Sequence, residues 1–325
     1  MSPTTPWPRR RWLQAAAGSA AALALPLRAQ GFPSRPVTFV LPFPAGGSFD
    51  PVMRSLADAA ARDLGQPVVL THKPGAGGVP GTAALATMSD ADGHTIALMH
   101  NSVLRQPLLT KVSWDPIKDY TYLAGLAGLA TGICVAADAP WKTLADLLAD
   151  AKARPGQLSW GTVGAISINR ITAERLARAT GGKFNMIPYK GGGEAFTGLV
   201  GRHLDVYGDP GFGQQVMGGK VRLLATFTEQ RMKRFPQVPT VRESGHDFVI
   251  ESRVGLVAPK GLDPAIAARL SAAFLKAHED PEHQRQMEQF DFIPQPMKAD
   301  AYRAYAVAQI GREKSMLDEI GFKPE

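Results

Sequence analysis

The sequence predicts an α/β protein of two lobes, each a mainly parallel sheet flanked by helices, with a ligand cleft between the lobes. Three observations carry this. Short apolar runs rich in β-branched residues alternate with helical patterns, the order that strands and crossover helices take in a parallel sheet. The alternation comes in two series, one from Pro36 to Met99 and one starting near Gly132, and the first kind of strand returns at Val254. At 325 residues, 45% hydrophobic and 20% charged, the chain can fill two cores.

In the first series, Pro36 to Leu41 reads as a buried strand, and the loop Pro42 to Asp50 leads into a helical pattern from Pro51 to Leu64. Ser48 or Asp50 is expected to cap that helix, and Pro51 suits its first turn. Strand Pro67 to Leu70, the glycine-rich loop Lys73 to Gly81, a short helix Thr82 to Met88 and strand Thr95 to Met99 follow. The second series gives strand Ile133 to Ala136, helix Leu144 to Ala153, strand Leu158 to Trp160, a loop at Gly161 to Gly164 and a helix through Ile171 to Ala179. It continues with strand Asn185 to Pro188, loop Tyr189 to Gly193, helix Glu194 to Val200 and strand Val221 to Phe227. The tail has strand Val254 to Ala258 and helices Pro264 to Ala277, Pro281 to Gln289 and Ala299 to Leu317. Two crossings, near residues 120 to 132 and 245 to 256, would form a hinge, with residues 30–125 and 252–325 in one lobe and 126–251 in the other.

The first residues are of another kind. Arg9, Arg10 and Arg11 precede an uncharged, alanine-rich run from Ala15 to Leu27, the arrangement of an export signal over residues 1–29 with cleavage after Ala29. Arg9 to Gln14 resembles the twin-arginine pattern, with the general secretory route as the alternative. The apolar run is shorter than the roughly 18 to 20 residues that span a bilayer. Cleavage would place the protein in the periplasm. It would also remove four of the 36 basic residues, leaving 32 against 29 acidic ones, a net charge of +3. So small a charge gives no electrostatic case for nucleic acid. Cys134 is the single cysteine, so no intramolecular disulfide is available.

Three glycine-rich turns, each between a strand and a helix, carry the chemistry: Pro44 to Asp50, Gly161 to Gly164 with Ser167, and Tyr189 to Gly193. Glycine lets the backbone approach a ligand and turn its N–H groups inward, and the following helix N-terminus favours negative charge. Three or four hydrogen bonds to a charged group, at about 1.5 to 3 kcal/mol each, approach the roughly 8 kcal/mol of micromolar affinity. An anion cradle therefore needs no lysine or arginine clamp, although any one such turn can equally be a tight corner.

Several blocks together resemble a known family: Phe32 to Pro36, Pro42 to Ser48 with Asp50, Leu64 to Pro67, Lys73 to Gly78, Pro188 to Gly193 and Pro236 to Val241. In this order they are similar to the signature blocks of the Bug family, the substrate-binding proteins of tripartite tricarboxylate transporters. The resemblance implies a type II periplasmic binding fold that holds a small organic carboxylate between its lobes, with no cofactor and no metal. It places ligand contacts at Phe43, Pro44, Ala45, Gly46, Gly47 and Ser48 in the first loop. In the second lobe it places them at Gly161, Thr162, Gly164 and Ser167, and at Tyr189, Gly191, Gly192, Gly193 and Ala195. His100, Asn101 and Asp209 occupy neighbouring loop positions. The chain departs from the family pattern at Phe49, where a small residue is usual, and at Ile166, Arg170, Glu194 and Pro210. Phe49, Arg170 and Glu194 are accordingly candidates as well, and Arg170 could meet a distal carboxylate, pair with Glu194 or face solvent. A membrane permease or a sensor domain would be the partner of a monomer.

The alternative is an exported enzyme acting on a small acid. Against it, the chain has no G-x-S-x-G elbow and no H-E-x-x-H pair, and Cys134 sits in an apolar strand where an inert thiol is expected. Gly75 to Gly78 lacks the third glycine of a dinucleotide loop, having Pro80 there, and Gly218-Gly219-Lys220 lacks the rest of a phosphate loop. His278 and His283 lie in an acidic segment and are expected at a solvated helix end.

Overall fold

A computed structural model describes residues 31–164 and 166–324. The export signal expected over residues 1–29 lies outside the described residues. Six strands, β1 (Val37–Leu41), β2 (Val68–His72), β3 (Thr95–His100), β4 (Tyr120–Leu129), β9 (Arg253–Pro259) and β10 (Phe292–Lys298), form one sheet in the order β10-β4-β9-β3-β1-β2. β1 pairs in parallel with β2 and β3, whereas β9 runs antiparallel to β3 and β4, and β10 antiparallel to β4. The inner strands β1, β3 and β9 are covered on both faces, which is why they read as apolar runs. Val37, Phe39 and Leu41 of β1 point to a core closed by α1 (Phe49–Leu64) and α8 (Pro264–Ala277). Val40 points the other way, to a core with Val103 and Leu104 of α3 (Asn101–Leu109) and Tyr302 and Tyr305 of α10 (Ala299–Glu319). The short α2 (Val79–Ala83) lies between β2 and β3 in sequence.

The chain leaves this sheet at Ala130–Thr131 and builds a second one. β5 (Gly132–Ala136) pairs antiparallel with β8 (Val221–Thr226), and β6 (Ser159–Val163) pairs in parallel with β7 (Asn185–Tyr189). Val206 and Tyr207 join the two pairs, Tyr207 bridging to Cys134 and Val206 to Trp160. On one side α4 (Leu144–Ala153) and α5 (Ile168–Thr180) bury Leu147, Ile171 and Leu176 against Trp160 and Val206. On the other, α6 (Gly192–Val200) and α7 (Phe212–Met217) bury Ala195, Leu199 and Phe212 against Cys134 and Tyr207. α10 is long enough to reach both cores. Its Tyr302 packs in the first lobe, Met316 and Leu317 pack in the second, and Glu319 pairs with Arg175 at 2.8 Å.

Three local expectations are corrected. Ser48 stands at the N-cap of α1 but makes no capping bond, and Asp50 instead accepts from the Gly46 N–H at 3.3 Å while pairing with Arg54 and His72. Gly161 and Thr162 are strand residues of β6 rather than loop, paired with Ile187 and Pro188 of β7, and the glycine is needed because a side chain there would lie 2.6 Å from Leu204 Cδ2 and 2.9 Å from Tyr207 Cδ2. His278 and His283 are buried, not solvated. α9 (Pro281–Gln289) turns His283 inward onto α1, where its Nδ1 meets Ser55 Oγ at 3.0 Å and its ring meets the edge of His278.

Candidate functional site

The carboxyl end of β1 and the helix starts of the second lobe meet across the gap between the sheets. Asp50, drawn to Gly46, Arg54 and His72, holds the first glycine loop against β2. From the other lobe, Gly191 approaches so closely that a Cβ there would lie 2.7 Å from Pro44 Cγ. Gly164, at φ +87°, lies against Gly77, and a Cβ on it would be 3.1 Å from the Gly77 Cα and N. Neither glycine admits a side chain without parting the lobes.

Behind these contacts lies a cavity of about 70 Å³. The first lobe contributes Phe43, Phe49, His100 and Asn101, and the second contributes Thr131, Ser167, Asn169 and Asp209. The two walls differ in kind. Phe49 stacks on Phe43 at 4.3 Å between ring centres, Phe43 leans on His100 at 5.1 Å, and Phe292 meets the Phe49 ring edge to face at 5.0 Å. Opposite them stand buried hydroxyl and amide groups. Ser167 caps α5, accepting from the Arg170 N–H at 3.4 Å, and Asn169 Nδ2 donates to Asp209 Oδ1 at 3.0 Å. The Thr131 hydroxyl, buried at the crossing between the sheets, has no hydrogen-bond partner among the described residues. A buried hydroxyl left unpaired costs free energy that a ligand oxygen would recover.

Burial governs the titrating groups here. It pushes the Asp209 carboxyl above the usual range, against the opposing bonds from Tyr207 and Asn169, and it pushes His100 down to about 4, so the imidazole is neutral at pH 7. Among the described residues the one cation on the wall, Arg105 of α3, is fully buried, bonded through Nε to Glu313 at 2.6 Å and through Nη1 to the Ile166 carbonyl at 3.0 Å. The Cys134 thiol, raised well above its ordinary value by burial, is not a nucleophile.

The residues expected at the site divide between two places. Phe43, Phe49, His100, Asn101, Ser167 and Asp209 line the inner cavity. Gly46, Gly47, Ser48, Gly192 and Gly193 line an outer hollow of about 380 Å³ at the rim, with Lys220. Pro44, Gly191 and Gly164 make the contacts between lobes. Ala45 is exposed on the loop, and Gly161, Thr162 and Ala195 belong to the packing of the second lobe. Tyr189 lies beneath α6, its hydroxyl filling the space beside Gly198. Glu194 folds back to accept from the Lys190 N–H at 3.0 Å, and Arg170 pairs with Glu174 at 2.7 Å rather than with Glu194. Thr131, Asn169, Arg105 and Glu313 were not singled out by the sequence. Asn169 could have been, two residues beyond the cap Ser167, but Arg105 and Glu313 are far apart in the chain and carry no local sign of each other.

A larger groove of about 790 Å³ lies behind Leu129 and Ser252, which line both spaces. Its arginines are matched by acids, Arg175 by Glu319 and both Arg253 and Arg312 by Glu251, so it offers an anion nothing that the inner cavity lacks.

The profile of the tripartite tricarboxylate transporter family receptor matches residues 52–322. The chain belongs to that family. It is 42% identical over 322 residues to the UPF0065 protein in gbd 5'region of Cupriavidus necator, covering 96% of this chain and 98% of the relative. The solved periplasmic binding protein BugD superposes with a TM-score of 0.85 at 29% identity, covering 90% of this chain and all of BugD. MatC of Rhodopseudomonas palustris, solved with bound malate, gives 0.82 at 26% identity over 88% of this chain and 100% of MatC. The receptor is thus a solute-binding protein with the type II periplasmic binding fold, and not an enzyme. Among the described residues no helix is long and apolar enough to cross a membrane.

Proposed function

We propose that this receptor works in the periplasm, capturing one small organic carboxylate in the inner cavity by closure of its lobes and presenting it, as a monomer, to a membrane permease or a sensor domain. The observation that carries this reading is the cavity itself, closed by glycine contacts from both lobes and walled on one side by buried hydroxyl and amide groups, among them the unpartnered Thr131. Malate bound to the related MatC supports a carboxylate as the class of ligand. The starts of α5 and α6 face the gap, and their N–H groups favour an anion. Closure would turn one sheet against the other about Ala130–Thr131 and the return segment before Arg253.

A thermal-shift screen of organic acids tests it. An acid present at 100 times its dissociation constant stabilises the protein by about 2.7 kcal/mol. Thr131→Val, which keeps the shape of the side chain but takes its unpartnered hydroxyl off the cavity wall, should reduce that shift while leaving the unliganded melt close to wild type. A screen without any stabilising acid, or a chemically altered acid recovered after incubation, would sink the proposal.

A further inference from the structure

We propose that Phe49 sets the class of acid accepted: a monocarboxylate carrying one flat or compact apolar body, in preference to a dicarboxylate or tricarboxylate. The inference rests on the reading of the cleft as a carboxylate site and adds the chemistry of the other end of the ligand.

Phe49 is the first residue of α1, and its ring turns into the cavity instead of away from it. Held on one side by Phe43 and on the other by the edge of Phe292, it extends a row of rings that runs through Phe43 to His100. This row makes a flat apolar patch on the first lobe's wall, beside the polar Asn101, Ser102 and Ser252, whereas the Thr131 and Ser167 hydroxyls, which can meet a carboxylate, stand on the second lobe's side. A ligand whose carboxylate meets Thr131 and Ser167 lies across the cavity from the Phe43 and Phe49 rings. Its other end faces aromatic rings, which gain from a flat apolar group and offer nothing to a charge.

The charges on the wall point the same way. Arg105 is already neutralised by Glu313 and bonded to Ile166, and the remaining ionisable side chains lining the cavity are the neutral His100 and the acid Asp209. A second carboxylate turned toward the Phe43 and Phe49 rings would find in those rings neither a cation nor a hydrogen-bond donor. Removing such a charge from water without a partner is strongly unfavourable. Size adds a limit. A cavity of about 70 Å³ has room for only a handful of water molecules, at roughly 10 to 15 Å³ each. Without the Phe49 ring the space would extend toward Phe292 and admit a longer chain.

The test is calorimetric titration of the wild type, Phe49→Thr and Phe49→Leu with benzoate, isobutyrate, malate and adipate. The wild type should bind at least one of the two monocarboxylates about tenfold or more tighter than either dicarboxylate. Phe49→Thr should erase that preference by weakening the monocarboxylate and admitting adipate. Phe49→Leu, which keeps the apolar bulk and secures the packing against Phe292, should retain the preference while losing part of the benzoate affinity. Malate or adipate binding the wild type as tightly as the monocarboxylates would overturn the inference and leave the carboxylate reading standing. So would an unchanged preference in a folded Phe49→Thr protein. Silence with all four acids, together with an empty thermal-shift screen, would overturn both.

Discussion

At the scale of single residues, the candidate site was legible where the backbone does the work and obscure where side chains do. Glycines between a strand and a helix announce close approach, and Gly164 and Gly191 indeed stand within contact distance of the opposite lobe. Thr131 gave no such signal, since a threonine after an apolar strand is ordinary and only the three-dimensional crossing leaves its hydroxyl buried without a partner. The histidines of the tail misled for a related reason. Their acidic neighbours Glu279, Asp280 and Glu282 face solvent or cap α9, while one helical face carries His283 and Met287 inward. Burial, with His278 beside it, holds His283 down to about 4, whereas an unfolded chain would protonate it near 6.5. Between those values the unfolded state binds the extra proton, so this contribution to stability is present above pH 6.5 and is lost as the pH falls toward 4. His283→Gln, which cannot titrate, should therefore lose less melting temperature than the wild type between about pH 6.5 and pH 4.5. Parallel slopes for the two proteins would show that His283 is not held neutral.

At the scale of elements, helices with an apolar stripe were read well, α4 and α8 to the residue, and of the elements that were missed three have identifiable reasons. β4 carries alanines and glycines instead of an alternating pattern because both its faces are covered, and Gly125 leaves room for Tyr302, which a Cβ would approach to 3.0 Å. β10 contains Pro294 and Pro296, residues that argue against a strand, and it survives as an edge strand whose pairing with β4 shifts register between Pro294 and Met297. α3 follows β3 with no capping side chain and contains Pro107, so nothing in the sequence marks its start. Yet α3 supplies Arg105, which ties three elements together: its own helix, α10 through Glu313, and the loop ahead of α5 through the Ile166 carbonyl. Both charges of the pair are buried, and Glu313 also accepts from Gln309. Arg105→Met should cost about 3 to 5 kcal/mol by stranding Glu313. The double variant Arg105→Met with Glu313→Leu should recover a substantial part of it. Denaturant melts of the two single variants and the double one measure the coupling, and additive losses would mean that the pair does not act as a unit.

At the scale of the whole molecule, the two alternating series foretold two sheets, and the strand read at Val254 to Ala258 does return the chain to the first of them. The long reach of α10 across both cores was not legible, because a uniform helical pattern does not say what it packs against. Across the cleft the lobes touch through loop contacts, Pro44 with Gly191, Gly77 with Gly164 and Ser48 with Gly211, and through polar bonds, Arg105 to the Ile166 carbonyl and the Gly213 N–H to Asp291. Contacts of this kind suit an equilibrium that a ligand can shift. The claim that the lobes close on a carboxylate is tested most directly by small-angle X-ray scattering of the protein alone and with a saturating amount of the acid that stabilises it most. The ligand-free protein should give the larger radius of gyration, and the acid should bring the scattering into agreement with the closed structure described here. Identical curves with and without the acid, at a concentration that saturates the thermal shift, would contradict capture by closure.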